Sequence, residues 1–161
     1  MKTWLKRIVI ALLFLAALAA AALFAGDQLA RQKMQRRVDI AVKPVAYKDD
    51  AAAIERGRYL FSSRGCVDCH GAKGNGHMFL DDGKGMRIAG PNISPGPGSV
   101  VKDYQPADWV RSIRHGVNPQ GRPLMIMPSE DYNRFTDEDL AALVAYIRHL
   151  APPSDGARWR M

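Results

Sequence analysis

Two cysteines, Cys66 and Cys69, are all that the 161-residue chain contains. A framework of several disulfides is therefore excluded, and a core must hold the fold together. Acidic residues are scarce at one end only. Residues 1–37 hold seven basic groups (Lys2, Lys6, Arg7, Arg31, Lys33, Arg36, Arg37) against a single acid, Asp27, whereas residues 38–161 hold 16 basic and 15 acidic groups. The formal charge of +7 thus sits almost wholly on the N-terminal tail. No basic face for a phosphate backbone follows from that distribution, and no nucleic-acid partner is expected. An internal repeat and a convincing pair of strands are also missing. Hydrophobic residues make up 47% and charged residues 24%, which excludes a wholly disordered chain.

What is present begins with an unbroken apolar run of 18 residues, Ile8 to Ala25, preceded by Lys2, Lys6 and Arg7. As a helix it is about 27 Å long, close to the hydrocarbon thickness of a bilayer. It exceeds the usual core of a signal peptide. Residues 1–26 are therefore expected to be a transmembrane anchor. The alternative is a signal segment cleaved near Ala17-Leu18-Ala19. Charge does not settle the orientation, because basic residues flank the run on both sides. Residues 27–49 are expected to be a linker, a solvated spacer with an extended strap over Val38 to Tyr47.

Residues 50–152 are expected to fold as an all-α domain of about three main helices with long loops. Asp49 and Asp50 suit a helix N-terminus, and Ala53, Ile54, Gly57, Leu60 and Phe61 then share one face. Gly57 in mid-helix costs about 1 kcal/mol against Ala, which makes sense where another helix approaches closely. Residues 71–105 hold 11 glycines and prolines among 35 positions, and so long a loop points to a functional role. Pro106 suits the first turn of a second helix with Trp109, Val110 and Ile113 on its apolar stripe and Gly116 as its stop. Asn118-Pro119-Gln120-Gly121 reads as a turn. Thr136 and Asp139 resemble a capping box before Leu140, Leu143, Val144 and Ile147, and Ala151-Pro152-Pro153 ends that last helix. Residues 153–161 are left as a tail. Three helices around long loops bury little core unaided, and a bulky apolar cofactor would supply the rest.

Cys66-Val67-Asp68-Cys69-His70 is the Cys-x-x-Cys-His pattern of c-type haem attachment. Two thiols one helical turn apart can each form a thioether with a haem vinyl group. The adjacent histidine then offers an imidazole nitrogen to the iron. Three other readings compete: a zinc site completed by His77, a redox dithiol, which needs a βαβ context, and a chance cluster. The export segment favours haem, since such attachment takes place outside the bacterial cytoplasm.

Further segments carry a family resemblance: Ile54-Glu55-Arg56-Gly57, Cys66 to Gly71, Gly90-Pro91-Asn92-Ile93-Ser94, Asp108-Trp109, Arg114-His115-Gly116-Val117, Met127-Pro128, and Leu140 to Leu150 with Tyr146. Over about residues 50–152 the chain resembles a bacterial class I cytochrome c of the small, membrane-tethered, mono-haem group of proteobacteria. The resemblance implies one covalent haem c on Cys66 and Cys69, with His70 and a loop methionine as axial ligands. Met125 and Met127 both qualify, because residues two apart in an extended segment face the same side. Pro128 biases Met127 toward extended backbone, and the resemblance places the ligand immediately before proline, so Met127 is expected. Met78 and Met86 are expected to pack or to touch the haem edge, and His77, His115 and His149 to be surface or structural residues. Trp109 is open between haem contact and core packing. Arg87, Asn92 and Arg114 are open between propionate donors and ordinary surface or turn residues.

The function so implied is single-electron transfer at the periplasmic face of the inner membrane, by a carrier without enzyme activity of its own. Membrane or periplasmic redox proteins would be its donor and acceptor. If the N-terminal segment is cleaved, the carrier would be soluble in the periplasm. One alternative is the haem-bearing subunit of a larger membrane dehydrogenase or oxidase complex. Another is a catalytic or sensing haem that binds a small ligand.

Overall fold

The computed structural model describes residues 2–152 and divides between Val38 and Asp39 into two compact units. The expected tail, 153–161, lies outside the described residues. The first unit is one helix, α1 (Lys2–Gln35), of 34 residues with none buried. At 1.5 Å per residue it is about 51 Å long. It carries the apolar run and continues through polar residues, where Arg31 pairs with Asp27 at 2.7 Å, one turn apart. By length and composition it can cross a membrane.

The second unit is mostly helical. Its frame is the crossing of α2 (Ala51–Ser63) with α6 (Asp137–His149). The Asp50 side chain caps α2 by accepting from the Ala53 N–H at 2.9 Å. Gly57 sits at the crossing: a Cβ there would run into the Ala142 carbonyl and come within 2.7 Å of Tyr146 Cβ. The missing side chain therefore sets how closely the two helices approach, which outweighs its poor helix propensity. Around it Leu60, Phe61, Leu140, Leu143, Val144 and Ile147 are buried, and the Phe61 and Tyr146 rings meet at 5.4 Å. Each large side chain so buried contributes about 1.5–3 kcal/mol before entropy costs.

Thr136 caps α6 by accepting from the Asp139 N–H at 3.0 Å. The Asp139 carboxylate does not complete a capping box. It pairs with Arg56 of α2 at 3.0 Å, so one end of that motif becomes an inter-helix tie. The third main helix, α4 (Pro106–His115), starts with Asp108 accepting from the Gln105 N–H and ends at Gly116. It buries Trp109, Val110 and Ile113. Two short helices complete the set: α3 (Cys66–His70) and α5 (Ser129–Tyr132).

Two expectations need correction. The Gly/Pro-rich stretch contains an antiparallel pair, β1 (His77–Asp81) and β2 (Arg87–Gly90). A bulge between Met78 and Leu80 and a glycine-rich tip broke the alternation that would have betrayed it. Asp82 closes the tip by accepting from the Lys84 and Met86 N–H groups at 2.8 and 2.9 Å, which lowers its carboxyl below the ordinary value. The second correction concerns residues 39–49, which are no solvated spacer. Val42, Val45 and Tyr47 pack against the core. The Tyr47 hydroxyl donates to the Tyr104 carbonyl at 3.1 Å, and Arg148 lies 3.9 Å from the Tyr47 ring centre. Val45 and Tyr47, spaced along an extended strap, cover the seam between α4 and α6.

Candidate functional site

The turn from α2 into α3 puts Cys66 and Cys69 one helical turn apart, both unpaired and partly buried. Burial pushes the Cys66 thiol up to about 11, helped by Cys69 and Asp68, and raises Cys69 in the same direction. Both are neutral thiols at neutral pH. A working redox dithiol needs the opposite shift, and the sheet here is a single antiparallel hairpin rather than a βαβ unit. Among the described residues, no three of His, Cys, Asp and Glu converge on a metal-sized point, so His77 completes no zinc site with the motif. His77 is exposed at the start of β1.

His70 follows directly. Its Nδ1–H donates to the Pro91 carbonyl at 2.9 Å. That bond fixes the ring and leaves Nε2 as the lone-pair nitrogen, the arrangement a metal-bound imidazole needs. Burial lowers the tendency of His70 to take a proton, although the Pro91 bond works against this. The loop that supplies Pro91 is pressed on α3: a Cβ on Gly90 would overlap the Cys69 carbonyl. Asn92 is buried and locks the same loop, accepting from the Ser94 N–H at 2.9 Å and the Ser94 hydroxyl at 2.7 Å. Arg87 pairs with Asp81 across the hairpin at 3.1 Å. Asn92 and Arg87 thus have protein partners.

Downstream of α4, the segment after the Asn118 turn returns to Gly116, whose carbonyl accepts from the Leu124 N–H at 2.6 Å. Residues 125–127 bend instead of running extended. The two methionines consequently part. Met125 is 72% exposed, whereas Met127 is partly buried and packs against the core cluster that also holds Cys66 and Val67 at its edge. Pro128, at φ −79° and ψ 64°, makes an inverse γ-turn closed by the Ser129 N–H on the Met127 carbonyl at 2.9 Å. That turn feeds α5, which no sequence signal had marked. Met78 is partly buried in the hairpin, and Met86 is exposed at its tip.

Trp109 is buried edge-on to Tyr104 at 5.2 Å between ring centres. His115 is exposed, and His149 bonds the Ala145 carbonyl of its own helix at 2.8 Å. Arg114 is different. One terminal nitrogen donates to the Phe135 carbonyl at 2.7 Å, the other pairs with Asp137 at 2.8 Å, and Nε–H is buried with no partner among the described residues. A pair of neutral thiols one turn apart and an imidazole with a free Nε2 fit a c-type haem, and the unused Arg114 Nε–H is of the kind that pairs with a haem carboxylate.

Comparison with known proteins agrees. Residues 52–147 match the family model described as cytochrome c oxidase, cbb3-type, subunit III. The chain is similar to the gluconate 2-dehydrogenase cytochrome c subunit of Pantoea cypripedii, 36% identical over 110 residues, covering 63% of this chain and 24% of that protein. It is similar also to the fructose dehydrogenase cytochrome subunit of Gluconobacter japonicus, 34% identical over 109 residues, covering 64% and 22%. A third relative is the cytochrome c subunit of the quinone alcohol dehydrogenase of Gluconacetobacter polyoxogenes, 32% identical over 112 residues, covering 65% and 23%. The chain spans less than a quarter of the length of each of these relatives. A mostly helical domain, a Cys-x-x-Cys-His helix and a family match over most of the folded unit lead to one conclusion: the chain belongs to the cbb3-type cytochrome c oxidase subunit III family of class I c-type cytochromes, whose cofactor is covalent haem c.

Proposed function

We propose that this protein transfers single electrons through one haem c held by Cys66, Cys69, His70 and Met127, and catalyses no reaction of its own. The observation that carries this reading is the α3 helix with His70 Nδ1–H anchored on the Pro91 carbonyl. The haem supplies a reversible one-electron couple at iron. The Cys66 and Cys69 thiols would hold the haem covalently, each adding sulfur to one carbon and hydrogen to the other carbon of a vinyl group, so attachment would need no oxidant. His70 would hold the iron through Nε2, which the Nδ1 bond to Pro91 leaves free. Met127 would hold it through its thioether; its partial burial and the turn at Pro128 support it over the exposed Met125. With His70 and Met127 both as ligands, the iron would have no position left for a substrate. A thioether ligand favours reduced iron and raises the potential over that of a second histidine. Arg114 Nε–H is the donor available for a propionate.

The α1 helix serves as an uncleaved anchor in the inner membrane, with the haem domain in the periplasm. Tethering raises the effective concentration of the haem at membrane-bound partners. A second reading is favoured by the names of the relatives, cytochrome subunits of gluconate, fructose and alcohol dehydrogenases: this chain accepts electrons as a subunit of a membrane dehydrogenase complex. The test is direct. The protein is denatured, extracted with acidified organic solvent and stained for haem on a gel. Haem that stays on the polypeptide is expected; haem that leaves would sink the reading. Fractionation with the native N-terminus, followed by co-purification from solubilised membranes, separates anchored carrier, complex subunit and soluble product of cleavage.

A further inference from the structure

Tyr132 closes α5, four positions after the turn at Pro128. Its ring is buried and tilted against Phe135, with centres 5.6 Å apart. Its hydroxyl donates to the Arg64 carbonyl at 2.8 Å. Arg64 caps α2 and stands two positions before Cys66, and its carbonyl is one of those a helix C-terminus leaves in need of a donor. Burial pushes the Tyr132 hydroxyl up to about 12, with the Asp131 and Asp68 carboxylates adding to the effect, so the phenol stays protonated and donates at neutral pH.

Other ties of the segment 117–136 run back toward α4. The Leu124 N–H reaches the Gly116 carbonyl, the Ser129 hydroxyl reaches the Ser112 carbonyl at 3.3 Å, and Arg114 holds the Phe135 carbonyl. Tyr132 reaches instead to the chain that leads into the haem-attachment helix. We propose that the Tyr132 hydroxyl is a positioning group for the sixth iron ligand: its bond to the Arg64 carbonyl ties the segment bearing Met127 to the chain that leads into the helix bearing Cys66 and Cys69, and so sets how readily the methionine leaves the iron. The inference rests on the reading of Met127 as that ligand.

When the tie is cut, the segment lifts more often and the sixth position opens to small bases. The apparent affinity of such a base scales with the open fraction. Loss of one net hydrogen bond corresponds to a change of about fivefold in that fraction. The experiment titrates the ferric, haem-loaded protein with imidazole and follows the weak sulfur-to-iron absorption band. Tyr132→Phe keeps the ring and removes the oxygen. Tyr47→Phe is the control, because it too removes one tyrosine bond to a backbone carbonyl, but on the strap. Tyr132→Phe is expected to bind imidazole about fivefold more tightly than wild type, with Tyr47→Phe unchanged. Equal imidazole affinity in the two variants would overturn the inference while leaving Met127 as the ligand. A wild-type protein with no sulfur-to-iron band would overturn the ligand reading, and the positioning role with it.

Discussion

Cys66, Cys69 and His70 share one five-residue helix, whereas Met127 stands far along the chain in a bend between two helices. The first side is held by its own backbone and near neighbours. The Gly71 N–H reaches the Val67 carbonyl at 2.8 Å, the Gly76 N–H reaches the His70 carbonyl at 2.9 Å, and Gly90 lies flat on the Cys69 carbonyl. The second side is held by side chains reaching from its two ends: Ser129, Tyr132 and Arg114. One side is a fixed mount and the other a strap fastened at intervals. In the proposed site, the mount would fix where the haem sits, while the strap would set the second ligand and with it the potential.

The mount is where substitution has the largest effect. Cys66→Ala or Cys69→Ala leaves at most one thioether, and most of the covalently stained haem is expected to disappear from the mature protein. Full staining with either cysteine gone would mean that the two are not both attachment points. The strap comes next. Met127→Ala is expected to abolish the sulfur-to-ferric-iron band, lower the potential and admit carbon monoxide to the ferrous iron. Met125→Ala, at a position 72% exposed, is expected to keep the band and shift the potential only modestly. The reverse outcome would move the ligand two positions back and make the turn at Pro128 irrelevant to it.

Gly90→Ala strikes the mount without removing a ligand. The new Cβ would meet the Cys69 carbonyl, so either α3 or the Pro91 loop must move, and the His70–Pro91 bond lengthens with it. Overpacking of this kind costs about 1–3 kcal/mol. Denaturant unfolding of the haem-loaded protein is expected to show a loss of that size, together with a raised potential, because an imidazole that has lost its Nδ1 hydrogen bond is a weaker donor to ferric iron. A variant as stable as wild type would show that the loop is free to retreat, and that the mount is softer than its contacts imply.

The same asymmetry governs what could be read from the sequence. Cys66 to His70 can be read as a haem motif because the pattern is local: two thiols and an imidazole fall within one five-residue helix. Gly57 was legible as a close approach, and Thr136 as a cap, for the same reason. The choice between Met125 and Met127 was not legible from side-chain direction, because the extended backbone on which that argument depended is a bend at 125–127. What sets the bend lies elsewhere, in Gly116, Ser112 and Arg64, and no short window contains those partners. The hairpin at 77–90 escaped notice because its bulge breaks the period of two. The strap at 39–49 escaped because the surface it covers exists only after α4 and α6 have packed.

Ser129→Ala tests the near end of the strap and is expected to do least. Ser129 is buried, and its hydroxyl donates to the Ser112 carbonyl at 3.3 Å, a long bond. That carbonyl also accepts from the Gly116 N–H at 3.1 Å, so removing the hydroxyl leaves no acceptor orphaned. The cost is then the modest net worth of one neutral bond, about 0.5–1 kcal/mol, without the larger penalty of a stranded buried group. The space left behind is a single oxygen beside Gly116, whose own Cβ, were it present, would lie 2.9 Å from that atom. A slightly lower denaturation midpoint is expected, with the sulfur-to-iron band and imidazole affinity unchanged. If imidazole binding instead tightens as much as in Tyr132→Phe, the strap is governed from the α4 end, and the bond across to Arg64 is one fastening among equals.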